Sequence, residues 1–280
     1  MHVMNGYPAG PLAFAEKAAG PCQTLGPGKG NVLRARDAHG HEYIVKRHAS
    51  EEKHNREVHA CTRWAPALST RAAHLAASGP DARMILLTAL PGQPCGDPGD
   101  PRAHHQAGAI LRRFHDAEQP RPMPGFQQWL TGRAAGWRAR CAPLLSREET
   151  RVADRHLTAL AAPGTPPGVP RHLDYQPRNW LIDEAGTLRV IDFEHARVSL
   201  RARDFTRLHY RYWAAPSDLR DAFPDGYGRP LTRPERRAVR HCGAIDTLTS
   251  LVRGTETGDT AMLAHGRATL RQLRQERGSP

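Results

Sequence analysis

The first 90 residues carry the alternating and continuous apolar patterns of β-strands. Residues 31–36 and 42–47 each predict a strand, and the Asp-Ala-His-Gly segment 37–40 predicts the hairpin turn between them. Residues 82–90 form a continuous apolar run, which predicts a buried strand. The patterns therefore predict a β-rich N-terminal part in which residues 20–48 form a β-meander.

Apolar spacing of the helical kind dominates the rest of the chain. Ser50 can cap a first helix that runs from residue 51 to about residue 64. A Gly- and Pro-rich connector covers residues 92–101, and residues 171–196 include a short β pair. Further helices are predicted at residues 103–118, 126–142, 147–161, 203–214, 216–223, 233–253 and 258–276.

This order of elements predicts an α+β fold with two lobes. We expect a small β-rich lobe at residues 1–90 and a larger, mostly helical lobe at residues 91–280. The natural place for a ligand is the cleft between the lobes.

Composition adds a strong positive charge to this picture. The chain of 280 residues has a formal net charge of +12, carried by 36 Arg and only four Lys. That bias is typical of a high-GC genome such as that of an actinomycete, so the charge can simply be spread over a solvated surface. A basic nucleic-acid-binding module without catalysis is the alternative, although the aromatic residues, 6% of the chain, are not interleaved with basic runs as a stacking platform requires.

The cellular location is expected to be cytoplasmic. No window approaches 18 consecutive apolar residues, and the N-terminus lacks the pattern of a signal peptide. The five Cys are scattered without a C-x-x-C pair, which indicates reduced thiols and no zinc site.

Three polar residues near residue 180 have the spacing of kinase chemistry. Asp174 and Asn179 follow His172 in an H-x-D-x-x-x-x-N pattern, and Asp192 ends the apolar run of residues 188–191. A carboxylate at Asp174 can accept the proton of a hydroxyl nucleophile. Asn179 and Asp192 can supply the oxygen ligands that Mg²⁺ prefers. Either role for Glu194 fits the sequence, an acid beside the metal or a surface residue.

Three residues near these positions have expected structural roles. His172 is expected to orient the loop by hydrogen bonds rather than to do chemistry. Asp183 and Glu184 are expected to be turn residues of a hairpin.

Lys46 is the candidate for contact with nucleotide phosphates. It lies within the strand 42–47 and, as a compact ammonium, can reach phosphates as a point charge. Glu57 is the best candidate to orient it, with Glu51 and Glu52 as alternatives in the first turn of the helix. The Gly-rich turn 26–30 can bring backbone N–H groups at Gly28 and Gly30 near phosphates, but it is not a P-loop.

Together these segments resemble the aminoglycoside phosphotransferase and choline kinase family of small-molecule kinases, which share the protein-kinase-like fold. The resemblance rests on HLDYQPRN at 172–179, VIDFE at 190–194, the Lys46 and Glu57 pair, and LLTALPG at 86–92. It covers most of the chain.

The resemblance implies a role for each matching residue. Asp174 would be the catalytic base, Asn179 and Asp192 would hold Mg²⁺, and Lys46 would contact the phosphates of ATP. It also implies adenine contacts to the backbone near Thr88 and Leu90. The family usually has Gly where this chain has Leu173, a residue that disfavours a positive φ.

The acceptor is expected to be a small molecule with a hydroxyl group, bound by the helical lobe. Residues 197–280 contain 16 Arg against nine Asp or Glu, whereas polycationic aminoglycosides need an acidic cleft. This balance favours a neutral, weakly charged or anionic acceptor, such as a nucleoside- or sugar-containing antibiotic. By analogy with the family, antibiotic inactivation in resistance or self-resistance is the leading role, with an aminoglycoside still among the candidates.

One alternative uses the same residues in another role. A metabolic kinase for a sugar, a choline-like amine or an amino alcohol would need the same catalytic groups. The nucleic-acid-binding module, in contrast, predicts salt-dependent binding and no effect of Asp174→Ala.

Overall fold

The computed structural model describes residues 2–3, 10–28, 30–160, 167–213 and 217–275. Its strands are β1 (His2–Val3), β2 (Cys22–Thr24), β3 (Val32–Asp37), β4 (Glu42–Arg47), β5 (Leu75–Gly79), β6 (Met84–Thr88), β7 (Gln93–Pro94), β8 (Val169–Arg171), β9 (Trp180–Ile182), β10 (Leu188–Val190) and β11 (Arg197–Ser199). Its α-helices are α1 (Pro11–Ala19), α2 (Glu51–Arg63), α3 (Pro101–His115), α4 (Phe126–Cys141), α5 (Arg147–Leu160), α6 (Ala202–Arg211), α7 (Ser217–Tyr227), α8 (Arg233–Thr257) and α9 (Thr260–Gln275).

The N-terminal elements form one six-stranded sheet in the order β1-β5-β6-β4-β3-β2. β1 and β5 are parallel, and the other neighbours are antiparallel. The predicted hairpin joins β3 to β4, and its turn is held by Asp37, which accepts hydrogen bonds from the N–H groups of His39 and His41 at 2.9 Å each. Ser50 caps α2 as predicted, because its hydroxyl accepts from the N–H of Lys53 at 3.3 Å.

Strand β6 is covered on both faces, which explains its continuous apolar sequence. Met84 and Leu86 pack in a small core with Phe14 of α1. Ile85 and Leu87 alternate with them and belong to the large core that continues into the C-terminal part. The prediction of a buried strand at this position is confirmed.

The C-terminal part is mostly helical. The long helix α8 packs against α4, α5, α6 and α9, and α3 packs closely against α7. A β-sheet part followed by a mostly helical part is the α+β fold that the sequence predicts. Within the described residues, no helix combines the length and the apolar character that crossing a bilayer requires.

Two small sheets hold the segment with the kinase-like spacing. β9 and β10 form an antiparallel hairpin, in which Val190 pairs with Trp180. β7 of the connector joins this hairpin, and β11 pairs with β8 just before the segment begins. The segment 172–179 is therefore tied at both ends by short strands, beneath the N-terminal sheet.

Candidate active site

The loop 172–179 is fixed by hydrogen bonds from His172. The His172 Nε2 lies 3.0 Å from the carbonyl oxygen of Ile191 at the end of the β10 hairpin. Its Nδ1 accepts from the N–H of Asp174 at 3.3 Å. His172 is fully buried, so it holds the loop against the hairpin and orients Asp174, as the sequence predicts.

Leu173 has the positive φ that a Gly would adopt without strain. Its φ is 69°, and its N–H donates to Asp204 Oδ1 at 2.6 Å. The N–H of His172 donates to the other oxygen of Asp204 at 2.9 Å. The Leu therefore keeps the unusual backbone because two hydrogen bonds to a buried carboxylate hold it there.

Asp204 lies in the first turn of α6 and anchors the loop. His115 Nε2 is 3.1 Å from its Oδ2, and both side chains are fully buried. Burial raises the pKa of Asp204, but the hydrogen bond from His115 and the charge of Arg171 outweigh it and lower the pKa to about 2. Asp204 is not among the predicted site residues, although its place at the start of a helix was visible in the sequence.

Asp174 is buried and receives four side-chain donors. Its Oδ1 accepts from Gln176 at 2.6 Å and from Arg207, and its Oδ2 accepts from Arg178 at 2.6 Å and from Asn179 at 2.9 Å. Burial raises the pKa of Asp174, but the charges of Arg207 and Arg178 hold it well below its usual range. Asp174 is therefore ionised near neutral pH.

Asn179 and Asp192 are brought together by the hairpin. The N–H of Ile191, next to Asp192, donates to the carbonyl oxygen of Asn179 at 3.1 Å. The Nδ2 of Asn179 donates to the backbone oxygen of Asp174 at 2.8 Å as well as to its carboxylate, which leaves the Asn179 Oδ1 without a donor among the described residues. Asp192 has a φ of 71° and a half-buried carboxylate.

Lys46 is surrounded by three carboxylates. Its Nζ lies 2.8 Å from Glu57, 2.5 Å from Asp192 and 3.2 Å from Glu194. Burial lowers the pKa of Lys46, but Glu57, Asp192 and Glu194 outweigh it and raise the pKa. The expected pairing of Lys46 with Glu57 is present, whereas Glu51 and Glu52 are exposed.

Glu57 links the N-terminal sheet to the segment after β10. One of its oxygens is 2.6 Å from His48 Nε2, and the other accepts from the N–H of Phe193 at 3.2 Å. Burial raises the pKa of Glu57, but the hydrogen bond from His48 and the charge of Lys46 outweigh it and lower the pKa. The buried carboxylate is thus fully paired, as a buried charge must be.

Glu194 is an inner acid rather than a surface residue. Its side chain is 16% exposed and pairs with Lys53 at 2.6 Å and with Lys46. Burial raises the pKa of Glu194, but Lys46 and Lys53 lower it to about 2. Although His48, Glu57 and Glu194 could together offer ligands to a metal, the Lys46 ammonium already lies against both carboxylates. This group is better described as the set of side chains that positions Lys46.

The predicted nucleotide contacts lie at the edges of the N-terminal sheet. Gly28 and Gly30, with a φ of 60° at Gly30, belong to the loop between β2 and β3, and Lys29 lies outside the described residues. In the connector, the N–H of Thr88 donates to the carbonyl oxygen of His74 at 2.9 Å. The N–H of Ala89 donates to Glu42 at 2.8 Å, so an adenine contact near Leu90 must use other backbone groups.

Comparison with known proteins identifies the family. The sequence profile of the phosphotransferase enzyme family matches residues 22–242. The chain belongs to this family. The resemblance inferred from its motifs is thereby confirmed, as is the expectation of an enzyme that is a phosphotransferase with an alcohol group as acceptor.

Solved structures show that the phosphotransferase has the kinase-like fold. An aminoglycoside phosphotransferase from Alicyclobacillus acidocaldarius is 19% identical, covers 97% of each chain and has a TM-score of 0.61. A choline/ethanolamine kinase family protein from Mesorhizobium loti is 16% identical, with 97% of this chain and 92% of that chain covered and a TM-score of 0.67.

A third structure was solved with ligands. It is a spectinomycin phosphotransferase in complex with ADP and spectinomycin, 12% identical, with 92% and 89% of the two chains covered and a TM-score of 0.57. No protein with curated annotation is significantly similar to the chain in sequence.

A cavity of about 670 Å³ opens beside the loop 172–179 of the phosphotransferase. Leu173 and Arg207 line it next to Asp174, and Lys53 lines it next to Glu194. Elements α2, α4, α6 and α8 supply most of its wall. Its lining contains seven Arg and one Lys but only two acids, so the cavity is strongly basic.

Several residues of this site were not predicted from the sequence. Arg178 lies inside the recognised motif, and Arg207 lies one helical turn after Asp204, yet neither was expected to contact Asp174. His48 and Lys53 are the partners of predicted acids. Spacing along the chain gives no sign of such contacts, except for Arg178, which is four residues from Asp174.

Proposed function

We propose that the protein transfers the γ-phosphoryl group of ATP to a hydroxyl of a small molecule, with Asp174 as the catalytic base. The observation that supports this most is that two groups of side chains meet at one place. One is the ionised Asp174 beside Asn179 and Asp192, and the other is Lys46 held by Glu57. Both are parts that phosphoryl transfer requires.

The proposed step makes and breaks one bond at phosphorus. The acceptor hydroxyl oxygen attacks the γ-phosphorus, and the bond from that phosphorus to the β–γ bridging oxygen breaks, with its electron pair leaving on ADP. The hydroxyl proton passes to the Asp174 carboxylate. Gln176, Arg178 and Asn179 hold this carboxylate in place, so the hydroxyl is oriented for in-line attack.

The side chains present fit a bound Mg²⁺. Asn179 Oδ1 accepts from none of the described donors, and Asp192 is a half-buried carboxylate whose Oδ2 has no hydrogen-bond partner within the described part of the chain. These are hard oxygen ligands of the kind that Mg²⁺ prefers. When bound, the ion would neutralise phosphate charge; Asn179 and Asp192 would hold it, and Lys46 would contact the phosphates.

The nucleotide is proposed to lie against the N-terminal sheet. Gly28 and Gly30 would approach the phosphates through their backbone, and the connector from Thr88 to Leu90 would contact the adenine. The ADP found in the spectinomycin phosphotransferase of the same fold supports a nucleotide as the phosphate donor.

The acceptor is proposed to be a sugar- or nucleoside-containing antibiotic, with inactivation as the biological role. The antibiotic phosphotransferases among the compared structures support this by analogy. A metabolic kinase for another hydroxylated molecule remains the alternative, favoured by the likeness to the choline/ethanolamine kinase family protein. The basic cavity disfavours a polycationic acceptor in either case, because like charges would repel.

The test is phosphate transfer by the full-length protein with Mg·ATP across a panel of hydroxylated antibiotics and metabolites. ADP release and ³¹P NMR of the product would report transfer. Asp174→Asn is expected to reduce the rate of phosphate transfer at least about 100-fold while leaving ATP binding intact. The exposed Asp81→Asn, in the turn before β6, is the matched control and should retain full activity. Full activity of Asp174→Asn would refute the assignment.

A further inference from the structure

Three arginines surround Trp129 on one side of the cavity. The guanidinium carbons of Arg197, Arg133 and Arg203 lie 5.1, 5.9 and 6.0 Å from the centre of the Trp129 ring system. They come from β11, α4 and α6, so only the folded chain brings them together. We call these three residues the arginine cluster.

In the described part of the chain, the arginine cluster lacks the ion pairs that three other cations of the cavity make. Within the described residues, none of its members has a carboxylate within ion-pair distance, and Arg203 Nη1 is buried without a hydrogen-bond partner. Three other cavity cations are paired instead, as Lys53 with Glu194, Arg56 with Glu52, and Arg207 with both Asp174 and Asp246. Arg211 and Arg253 also line the cavity without an ion pair among the described residues, so the cluster holds three of its five unpaired cations.

Stacking on Trp129 does not account for this arrangement. Trp129 is 38% exposed, and a cation gains little from an aromatic ring at an exposed site. Burial, together with the charges of Arg203, Arg56 and Arg133, lowers the pKa of Arg197 to about 9. Like charges gathered in a partly buried place without a carboxylate at ion-pair distance are unfavourable, so an anion bound there would relieve the repulsion.

We propose that the acceptor carries an oxyanion group, a carboxylate or a phosphate, which binds the arginine cluster while its hydroxyl reaches Asp174. This rests on the proposed function and specifies its substrate class. Planar guanidinium groups match both oxyanions with paired hydrogen bonds. Arg207 lines the same cavity and contacts Asp174, so the cavity leads from the cluster to the catalytic carboxylate. Trp129 and Trp137 also line this cavity.

The first test compares sugars that differ in the charge of one substituent. Ribose with ribose 5-phosphate, and glucose with glucuronate and glucosamine, would be assayed with Mg·ATP. The wild type is expected to show a kcat/KM at least about 10-fold higher for the anionic member, because a hydrogen bond to a charged group is worth about 10- to 100-fold. The ribose 5-phosphate and glucuronate arms distinguish a phosphate from a carboxylate.

Matched variants locate the effect. Arg197→Gln and Arg203→Gln are expected to raise KM for the anionic acceptor by about 10- to 100-fold, with kcat and the KM for the neutral parent changed less than about 3-fold. Arg151→Gln, exposed on α5, is the control and should behave as wild type. Equal preference for neutral or amine sugars, or unchanged kinetics in both variants, would overturn the proposal.

A binding measurement keeps the proposal testable without turnover. Trp129 and Trp137 line the cavity, so their fluorescence should change when ribose 5-phosphate or glucuronate binds in the presence of saturating Mg·ADP. Arg197→Gln should bind these two anionic sugars at least about 10-fold more weakly than the wild type does. Ribose and glucose should bind the wild type more weakly still. Equal binding of charged and neutral sugars would overturn the anion site. Anion-specific binding without transfer to any acceptor would uphold the site and refute the proposed function instead.

Discussion

At the scale of single residues, the most informative positions are the carboxylates that the fold has buried and paired. Asp174, Glu57 and Asp204 are each removed from water, and each is held ionised by specific donors. Two of these were predicted from spacing and resemblance. Asp204 was not predicted as a site residue, because its partners His172 and Leu173 are about 30 residues away in the chain.

Asp204 gives a pH-dependent contribution to stability with a defined sign. Its folded pKa of about 2 lies below the ordinary value of 3.8, so the stabilisation is complete above pH 4 and is lost as the pH falls towards 2. Asp204→Asn is expected to lower the free energy of unfolding by about 2 kcal/mol near pH 7.

Urea unfolding of both proteins between pH 7 and pH 2 would measure this difference. The gap between wild type and Asp204→Asn should shrink below pH 4. The exposed Asp221→Asn on α7 should show no such gap at any pH. A gap that stays constant down to pH 2 would contradict the ionised state assigned to Asp204.

Glu57 is expected to act through Lys46. Glu57→Gln removes a charge from the group that positions the lysine, so kcat/KM for ATP should fall by about 10- to 100-fold. Steady-state kinetics with varied ATP would measure it, with circular dichroism to check folding. Glu51→Gln, in the exposed first turn of the same helix, is the matched control and should leave the kinetics unchanged. Normal kinetics in a folded Glu57→Gln protein would rule out this role.

At the scale of elements, the sequence predicted most helices and strands to within a few residues. It missed α1, β5 and the very short strands β1, β7, β8 and β11, and for α1 and β5 the reasons are local. Helix α1 has nine residues, four of them Ala, and too few turns to show a period. Strand β5, Leu-Ala-Ala-Ser-Gly, contains none of the β-branched or aromatic residues that mark strands, and only its pairing with β6 makes it one.

The crossing of α3 and α7 depends on two glycines. A Cβ on Gly226 would lie 1.8 Å from the carbonyl oxygen of His105, and one on Gly108 would lie 2.2 Å from that of Phe223. Gly226→Ala must therefore push the helices apart, and it is expected to cost about 3 kcal/mol of stability. Urea unfolding at neutral pH would measure this cost.

The control is a helical glycine with free space around it. A Cβ on Gly132 of α4 would meet nothing within 4 Å, so Gly132→Ala should stabilise the protein by about 0.5–1 kcal/mol. The two substitutions are chemically identical and should differ in sign. Similar stabilities for both variants would mean that the close approach of α3 and α7 is absent.

At the scale of the whole molecule, the structure shows where part of the net charge of +12 lies. From the sequence, the positive charge could be spread over the solvated surface or could serve nucleic-acid binding, because the sequence shows charge only as an average. In the folded chain, seven Arg line one cavity of about 670 Å³ beside the loop 172–179. A cavity of that size suits a small molecule, and its sign argues against a polycationic acceptor.

The two parts of the molecule also meet at the reaction centre. Lys46 and Glu57 belong to the N-terminal elements, while Asp192, Phe193 and Glu194 follow β10. The contacts between them are ion pairs and one backbone hydrogen bond. Of these partners, the sequence predicted only Glu57 for Lys46.

The sequence by itself determined the fold class and the reaction type, and it pointed to the segment that we propose to be catalytic. These depend on local spacing, since Asp174 and Asn179 lie within one loop and Asp192 ends the next hairpin. The tertiary structure alone decided the anchoring of the loop by Asp204, the pairing of Glu194 with two lysines, and the arginine cluster around Trp129. Each of these joins residues from separate elements, and only packing of the whole chain can bring such residues into contact.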